Sequence, residues 1–211
     1  MKLYTYFRSS AAFRVRIALN LKGLAYDPVP VHLPKGEHRG PEYGKVDPQA
    51  LLPTLVDGAH ALSQSLAIIE YLEETHPEPP LLPRDALGRA RVRSLSLLVA
   101  CEIHPLNNLR TLQHLKRALG QSEEQISAWY RHWIADGLAK LEADLLRGGS
   151  GRFCHGASPS MADCCLVPQI FNARRYQSDL APYPTVMRIF DACMSLVAFD
   201  RAQPSKQPDA E

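Results

Sequence analysis

Apolar and polar positions alternate over residues 2–6, among aromatic and β-branched side chains, and this predicts a first strand. Phe13, Ile17 and Leu21 then recur four apart, which predicts a helix with one buried stripe, ended by Gly23. Residues 25–31 read as a second strand. Residues 32–47 are polar, carry Gly36, Gly40, Pro41 and Gly44, and read as a loop with room for a short helix. Residues 54–56 form a third strand, Asp57-Gly58 a turn, and Ala61-Leu62 an antiparallel return. Ser65 opens a helix with Ile68, Ile69 and Leu72 inside. The order is β-α-β-loop/helix-β-β-α.

Pro77, Pro79, Pro80 and Pro83 follow, and helices do not run through such a stretch. A linker there divides the chain into an α/β domain, residues 1–80, and an all-helical domain, residues 81–211. In the second part, residues 84–119 read as one long segment kinked near Pro105. Ile126, Trp129, Tyr130, Trp133, Leu138, Leu141 and Leu145 mark the next helix, with both tryptophans expected in the core. Gly148-Gly149-Ser150-Gly151 breaks it. Ser160-Met161-Ala162-Asp163 has capping-box form and opens a helix through Ala173, so Asp163 is assigned a capping role rather than a catalytic one. Residues 184–196 are the last predicted helix. Residues 203–211 are polar, contain Pro204 and Pro208, and read as a loose tail.

Composition narrows the function. Lys+Arg (24) nearly balances Asp+Glu (22), so a net charge of +2 argues against a polyanion-binding coat and leaves room only for a local arginine cluster. No apolar run reaches bilayer-spanning length, and the N-terminus has no signal-peptide segment. The five cysteines form no C-x-x-C pair, so free thiols in a reducing cytosol are expected, with Cys164 and Cys165 as packing. The eight histidines have no metal-ligand spacing, and no metal is expected. Gln64-Ser65, just after a hairpin and just before a helix, offers backbone amides and a hydroxyl to a carboxylate.

The stretch Tyr6-Phe-Arg-Ser-Ser-Ala-Ala-Phe-Arg-Val-Arg-Ile-Ala-Leu19 resembles the signature of the zeta-class glutathione transferases. Leu52-Pro53 is similar to the family's cis-proline loop, and Gln64-Ser65 to its γ-glutamyl site. Residues 103–110, 153–163 and 165–175 are similar to zeta segments of the helical domain. Position 11 departs from the family's usual Ser-Ser-Cys: it is Ala11, which leaves both serines and removes a cysteine. The resemblance implies a thioredoxin-like first domain, an all-α second domain, a homodimer and glutathione as cofactor. It implies a cis–trans isomerase of aromatic degradation, in which a thiolate adds to the double bond of an unsaturated diketo acid, the bond rotates and glutathione leaves. Maleylpyruvate, giving fumarylpyruvate, is the leading substrate and maleylacetoacetate its near neighbour. A general conjugating transferase and a non-enzymatic glutathione-binding protein are the other readings.

The resemblance assigns catalysis to Ser9, as thiolate donor, with Ser10 and Arg8. It assigns the dianionic substrate to Arg8, Arg110 and Arg175, with Arg174 as the neighbouring choice, assisted by His104 and Asn108. Glutathione is assigned to Ser9, His38, Gln49, Leu52, Pro53, Gln64 and Ser65, again with His104 and Asn108. Arg14 and Arg16 are left as solvated, partly structural positions on the first helix. His104 and Asn108, four apart, are expected to share a helix face.

Overall fold

The N-terminal alternation becomes strand β1 (Lys2–Thr5), one residue shorter than the pattern suggests. The computed structural model describes residues 1–211. After β1 come α1 (Ser10–Leu21), β2 (Asp27–Pro30), the short α2 (Pro41–Gly44), β3 (Thr54–Asp57), β4 (His60–Ser63) and α3 (Ser65–Thr75). The sheet order is β2-β1-β3-β4. β1 runs parallel to β2, with Lys2 opposite Asp27, and antiparallel to β3, with Leu3 opposite Leu55. β3 and β4 form the expected hairpin, Thr54 opposite Ser63. β2 carries Pro28 and Pro30, which an edge strand tolerates because only one side must donate to the ladder. This mixed sheet with its helices is the thioredoxin-like arrangement that the resemblance implies.

By its contacts the chain divides into two units, Met1–Leu82 with Met194–Glu211, and Pro83–Cys193. The returning C-terminal segment explains a departure from the predicted single stripe on α1. Every residue from Ala12 to Leu19 is buried, because α1 packs on α3 and also on α10 (Val197–Ala202). Arg14 and Arg16 are therefore 3% and 0% exposed rather than solvated. The tail is not loose. A short 3-10 turn at Pro204–Lys206 follows α10, Gln207 is buried, and its side-chain amide donates to Arg201 O and Gln203 O at 3.0 Å each. Local acceptors in the tail thus replace the water that a polar segment would otherwise seek.

The proline stretch is anchored to the first unit. Lys22 Nζ donates to Glu73 Oε2 (2.8 Å), His76 O (2.7 Å) and Pro79 O (3.0 Å). Glu73 also accepts from the backbone N–H groups of Leu81 (2.9 Å) and Leu82 (3.1 Å).

The second unit is helical. The segment expected to be continuous is broken into α4 (Ala86–Leu97), a π-type stretch (Leu98–Ile103), α5 (His104–Asn107) and α6 (Leu109–Arg117). Beyond it lie α7 (Glu123–Arg147), α8 (Met161–Arg175) and α9 (Pro184–Met194). The buried stripe of α7 is Ile126, Tyr130, Ile134, Leu138, Leu141 and Leu145. Trp129 and Trp133 sit beside it, half-buried, edge to face at 5.6 Å, and Trp129 Nε1 donates to Leu106 O at 2.8 Å. For Trp129 this bond accounts for a place at the rim of the core, whereas the Trp133 indole N–H is buried without a partner. Gly137 allows α7 to meet the π-type stretch, since a Cβ there would lie 2.3 Å from Ile103. No helix is long and apolar enough to cross a membrane.

Candidate active site

In the first unit, the turn from β1 to α1 places Ser9 at the helix N-cap, with φ −66° and ψ 111°. Ser9 Oγ accepts from the Ala12 N–H at 3.2 Å. The cap role and the predicted donor role are compatible, since a hydroxyl that accepts through a lone pair still has its hydrogen to donate. Ser10 is the first residue of α1, where free amides and the helix dipole favour negative charge. Arg8 is exposed, with its guanidinium 4.8 Å from the Phe7 ring centre, a cation–π contact that keeps the charge beside Ser9.

A second group gathers around Gln64. The Leu52–Pro53 peptide is cis. Gln64 has φ 69°, a left-handed conformation that a non-glycine residue adopts at a cost of roughly 1–3 kcal/mol and that clusters at functional sites. Its side-chain amide donates to Gln49 Oε1 at 2.7 Å. Ser65 is buried at the start of α3. The loop bearing Gln49 and Leu52 is built on Asp47, which accepts from the N–H groups of Gln49 (3.0 Å) and Leu51 (3.4 Å). Tyr43 braces the same loop, its hydroxyl bonded to Leu51 O and 2.8 Å from Thr54 Oγ1. Burial pushes the Tyr43 phenol up to about 12, so it stays a neutral donor.

His38 lies in a 3-10 turn (Glu37–Arg39), 8% exposed. Its Nδ1 is buried with no protein partner. Burial, and then the charge of Arg39, lower its pKa, so the ring is neutral near pH 7 and presents one donor and one acceptor nitrogen.

The sequence reading missed Arg14. Its NH1 donates to Ser65 Oγ at 3.2 Å, with both groups buried. The donor occupies a lone pair of the hydroxyl and leaves the hydroxyl hydrogen to point elsewhere. A signal was present, because two arginines interrupt the otherwise apolar run Phe13–Ile17, and buried charge requires partners.

In the second unit, His104 opens α5 directly after the π-type stretch, an irregularity frequent at functional sites that lies beside Pro105, where a kink was expected. Asn108 does not share a helix face with it. Asn108 is extended (φ −76°, ψ 163°) and caps α6, its Oδ1 accepting from the Thr111 N–H at 3.1 Å. An asparagine breaks a helix here by offering its own side chain to the backbone. Arg110 follows, exposed. Arg174 and Arg175 are exposed at the end of α8, the first 4.3 Å from the Phe190 ring centre and the second 5.6 Å from Tyr176.

Asp163 is fully buried and spent on structure. It accepts from Cys154 N–H (2.9 Å), Ser160 N–H (2.8 Å) and Ser160 Oγ (2.7 Å), completing the predicted capping box. Cys164 and Cys165 are buried as expected. A cavity of about 810 Å³ lies between the end of α1 and residues 197–208, and none of the candidate residues lines it.

The four-stranded mixed sheet with its helices is a unit of thioredoxin type, and comparison with known proteins gives the family. The glutathione S-transferase N-terminal domain model matches residues 3–80, and the C-terminal domain model matches residues 109–192. The chain belongs to the glutathione S-transferase family. A solved structure described as maleyl pyruvate isomerase, a bacterial glutathione S-transferase of the zeta class, is 49% identical over the whole of both chains, with a TM-score of 0.97. A probable maleylacetoacetate isomerase of Vibrio cholerae is 49% identical over 99% of this chain and 97% of its own. The maleylacetoacetate isomerase of Anaeromyxobacter dehalogenans, solved with dicarboxyethyl glutathione and citrate in its active site, is 46% identical over 100% of this chain and 97% of that one, with a TM-score of 0.88.

Proposed function

We propose that this chain is a glutathione-dependent cis–trans isomerase that converts maleylpyruvate to fumarylpyruvate, with maleylacetoacetate as the alternative substrate of the same site. The observation that carries this reading is end-to-end similarity, at 49% identity, to proteins named for both reactions. Glutathione, when bound, supplies a thiolate that adds to the cis double bond and leaves once the bond has turned. The residues present suit such a ligand: a helix N-terminus with two serines, a buried and unpartnered imidazole nitrogen, and a strained Gln64.

In this reading Ser9 directs its hydroxyl hydrogen at the sulfur, with Ser10 and the first α1 amides assisting. Gln64 and Ser65 hold the γ-glutamyl carboxylate, and the Leu52 backbone before Pro53 pairs with the cysteinyl unit. His38 and Gln49 take the glycyl end. Arg8, Arg110 and Arg175 or Arg174 bind the substrate carboxylates, since guanidinium forks match them. His104 and the Asn108 amide take the carbonyl or the glutathione backbone. A cytoplasmic homodimer fits the five free cysteines and the family.

A proton NMR time course of maleylpyruvate, with and without sub-stoichiometric glutathione, tests the reaction. The expected result is trans product only when glutathione is present, with glutathione recovered intact. Maleylacetoacetate run in parallel identifies the better substrate. Glutathione consumed into a stable adduct would instead make the protein a conjugating transferase.

Arg14 carries a separate expectation. Replacing it with Met removes the donor that aims Ser65, so KM for glutathione should rise by about tenfold with a smaller change in kcat. Initial rates across a glutathione series check this. An unchanged KM would mean that Ser65 is oriented without it.

A further inference from the structure

We propose that the C-terminal segment Val197–Glu211 is a positioning strap for the loop that carries Arg8 and Ser9, acting through Asp209 and Arg16. The proposal rests on the reading that Ser9 faces the glutathione sulfur. Four residues, Tyr6 to Ser9, turn the chain from β1 into α1. Both backbone groups of Phe7 in this turn are held by side chains distant in sequence or on α1. Its N–H donates to Asp209 Oδ2 at 2.9 Å, a contact across 202 residues of sequence. Its carbonyl accepts from Arg16 NH2 at 3.0 Å.

Arg16 spreads one guanidinium over the whole junction. NH1 donates to Thr5 Oγ1 (3.0 Å) and Tyr6 O (3.4 Å), and Nε donates to Ala202 O (3.0 Å) at the end of α10. Tyr6 O also accepts the Ser9 N–H at 2.9 Å. The strap is thus tied to the loop twice, through Ala202 and through Asp209, and the carbonyl that fixes Ser9 is itself fixed by Arg16. Burial lowers the Arg16 pKa to about 10, and Tyr26, then Asp209, oppose that shift. Asp209 and Arg16 thus hold the two backbone groups of Phe7 from opposite sides of the hydrogen-bonding balance, one as acceptor and one as donor.

The strap is itself secured. Ala202 and Phe199 are fully buried, Asn20 Nδ2 donates to Ala198 O at 2.9 Å, and His32 Nε2 lies 3.1 Å from Glu211 Oε1. A donor aimed at a reacting atom tolerates displacements of only about 0.5 Å, so an anchor two residues from Ser9 bears on the chemistry without touching substrate.

The test compares full-length wild type, Asp209→Ala and Asp209→Asn. It reads kcat, the ultraviolet thiolate absorbance of bound glutathione at neutral pH, and the affinity for S-methylglutathione, which has no thiol to ionise. Asp209→Ala is expected to lower kcat by about tenfold and to reduce the thiolate signal while S-methylglutathione binds as before. Asp209→Asn keeps an acceptor oxygen and should recover most of kcat. If Asp209→Ala proves too unstable to assay, Asp209→Ser, whose shorter side chain withdraws the acceptor from the Phe7 N–H, takes its place, and a wild-type thiolate signal there overturns the proposal. Wild-type kcat and absorbance in Asp209→Ala also overturn it, as does a loss of kcat matched by an equal loss of S-methylglutathione affinity. Absence of thiolate absorbance in the wild-type protein removes the underlying Ser9 reading, a failure distinguishable because it precedes any substitution.

Discussion

Glu73→Ala should destabilise the protein by about 3–5 kcal/mol, the cost of leaving a buried ammonium uncompensated. Lys22 and Glu73 have side-chain exposures of 0% and 8%, so neither can recover full hydration when its partner is lost. The loss extends beyond an ion pair, because the same carboxylate accepts the Leu81 and Leu82 N–H groups, which are left without that acceptor. At roughly 2–4 °C per kcal/mol for a chain of this size, the melting temperature should fall by about 6–20 °C. The pair Lys22→Met with Glu73→Leu separates two accounts. An ordinary buried salt bridge can be replaced by apolar residues at little cost. Here the double variant should remain destabilised, since it removes the charge problem but leaves the Leu81 and Leu82 N–H groups and the His76 and Pro79 carbonyls without these partners. Full recovery in calorimetry would reduce Glu73 to a charge partner for Lys22.

The same pair explains why part of this architecture was readable from sequence and part was not. Two-residue alternation, turn residues and prolines report local preferences, so β1, the β3–β4 hairpin, α3 and the interruption near residue 80 were legible. Long-range partners leave no local trace. Nothing near Lys22 announces that it will hold the linker, and nothing in residues 203–211 announces an acceptor for Phe7. The single stripe predicted for α1 failed for the same reason, since the helix is covered by a segment almost at the other end of the chain. Arg14 and Arg16 sit in that apolar run as charges too expensive to bury alone, and each has its partners. The Asn108 cap was missed for a different reason. Equal spacing was read as a shared helix face, whereas asparagine competes with the helix by bonding the backbone itself.

The largest kinetic effect is expected from Ser9, where two roles of one hydroxyl can be separated by choice of replacement. Ser9→Ala removes both the cap acceptor for Ala12 N–H and the donor proposed for the thiolate. Loss of one donor to a developing charge costs about 100- to 1,000-fold at oxyanion-type sites. The remaining α1 amides and Ser10 should hold the fall in kcat/KM to the lower part of that range, about 100-fold. Loss of the cap should cost about 1 kcal/mol of stability. Ser9→Gly restores most of the cap, because glycine at this position costs only a few tenths of a kcal/mol, yet it supplies no hydroxyl. The proposed mechanism therefore predicts that Ala and Gly variants are equally slow while the Gly variant melts higher, and that Ser9→Thr retains activity. The thiolate absorbance of bound glutathione should titrate at higher pH in both slow variants, because the donor that favours the ionised sulfur is gone. If Ser9→Gly were as active as wild type, Ser9 would be a helix cap alone, and activation of the sulfur would fall to Ser10 and the amides at the start of α1.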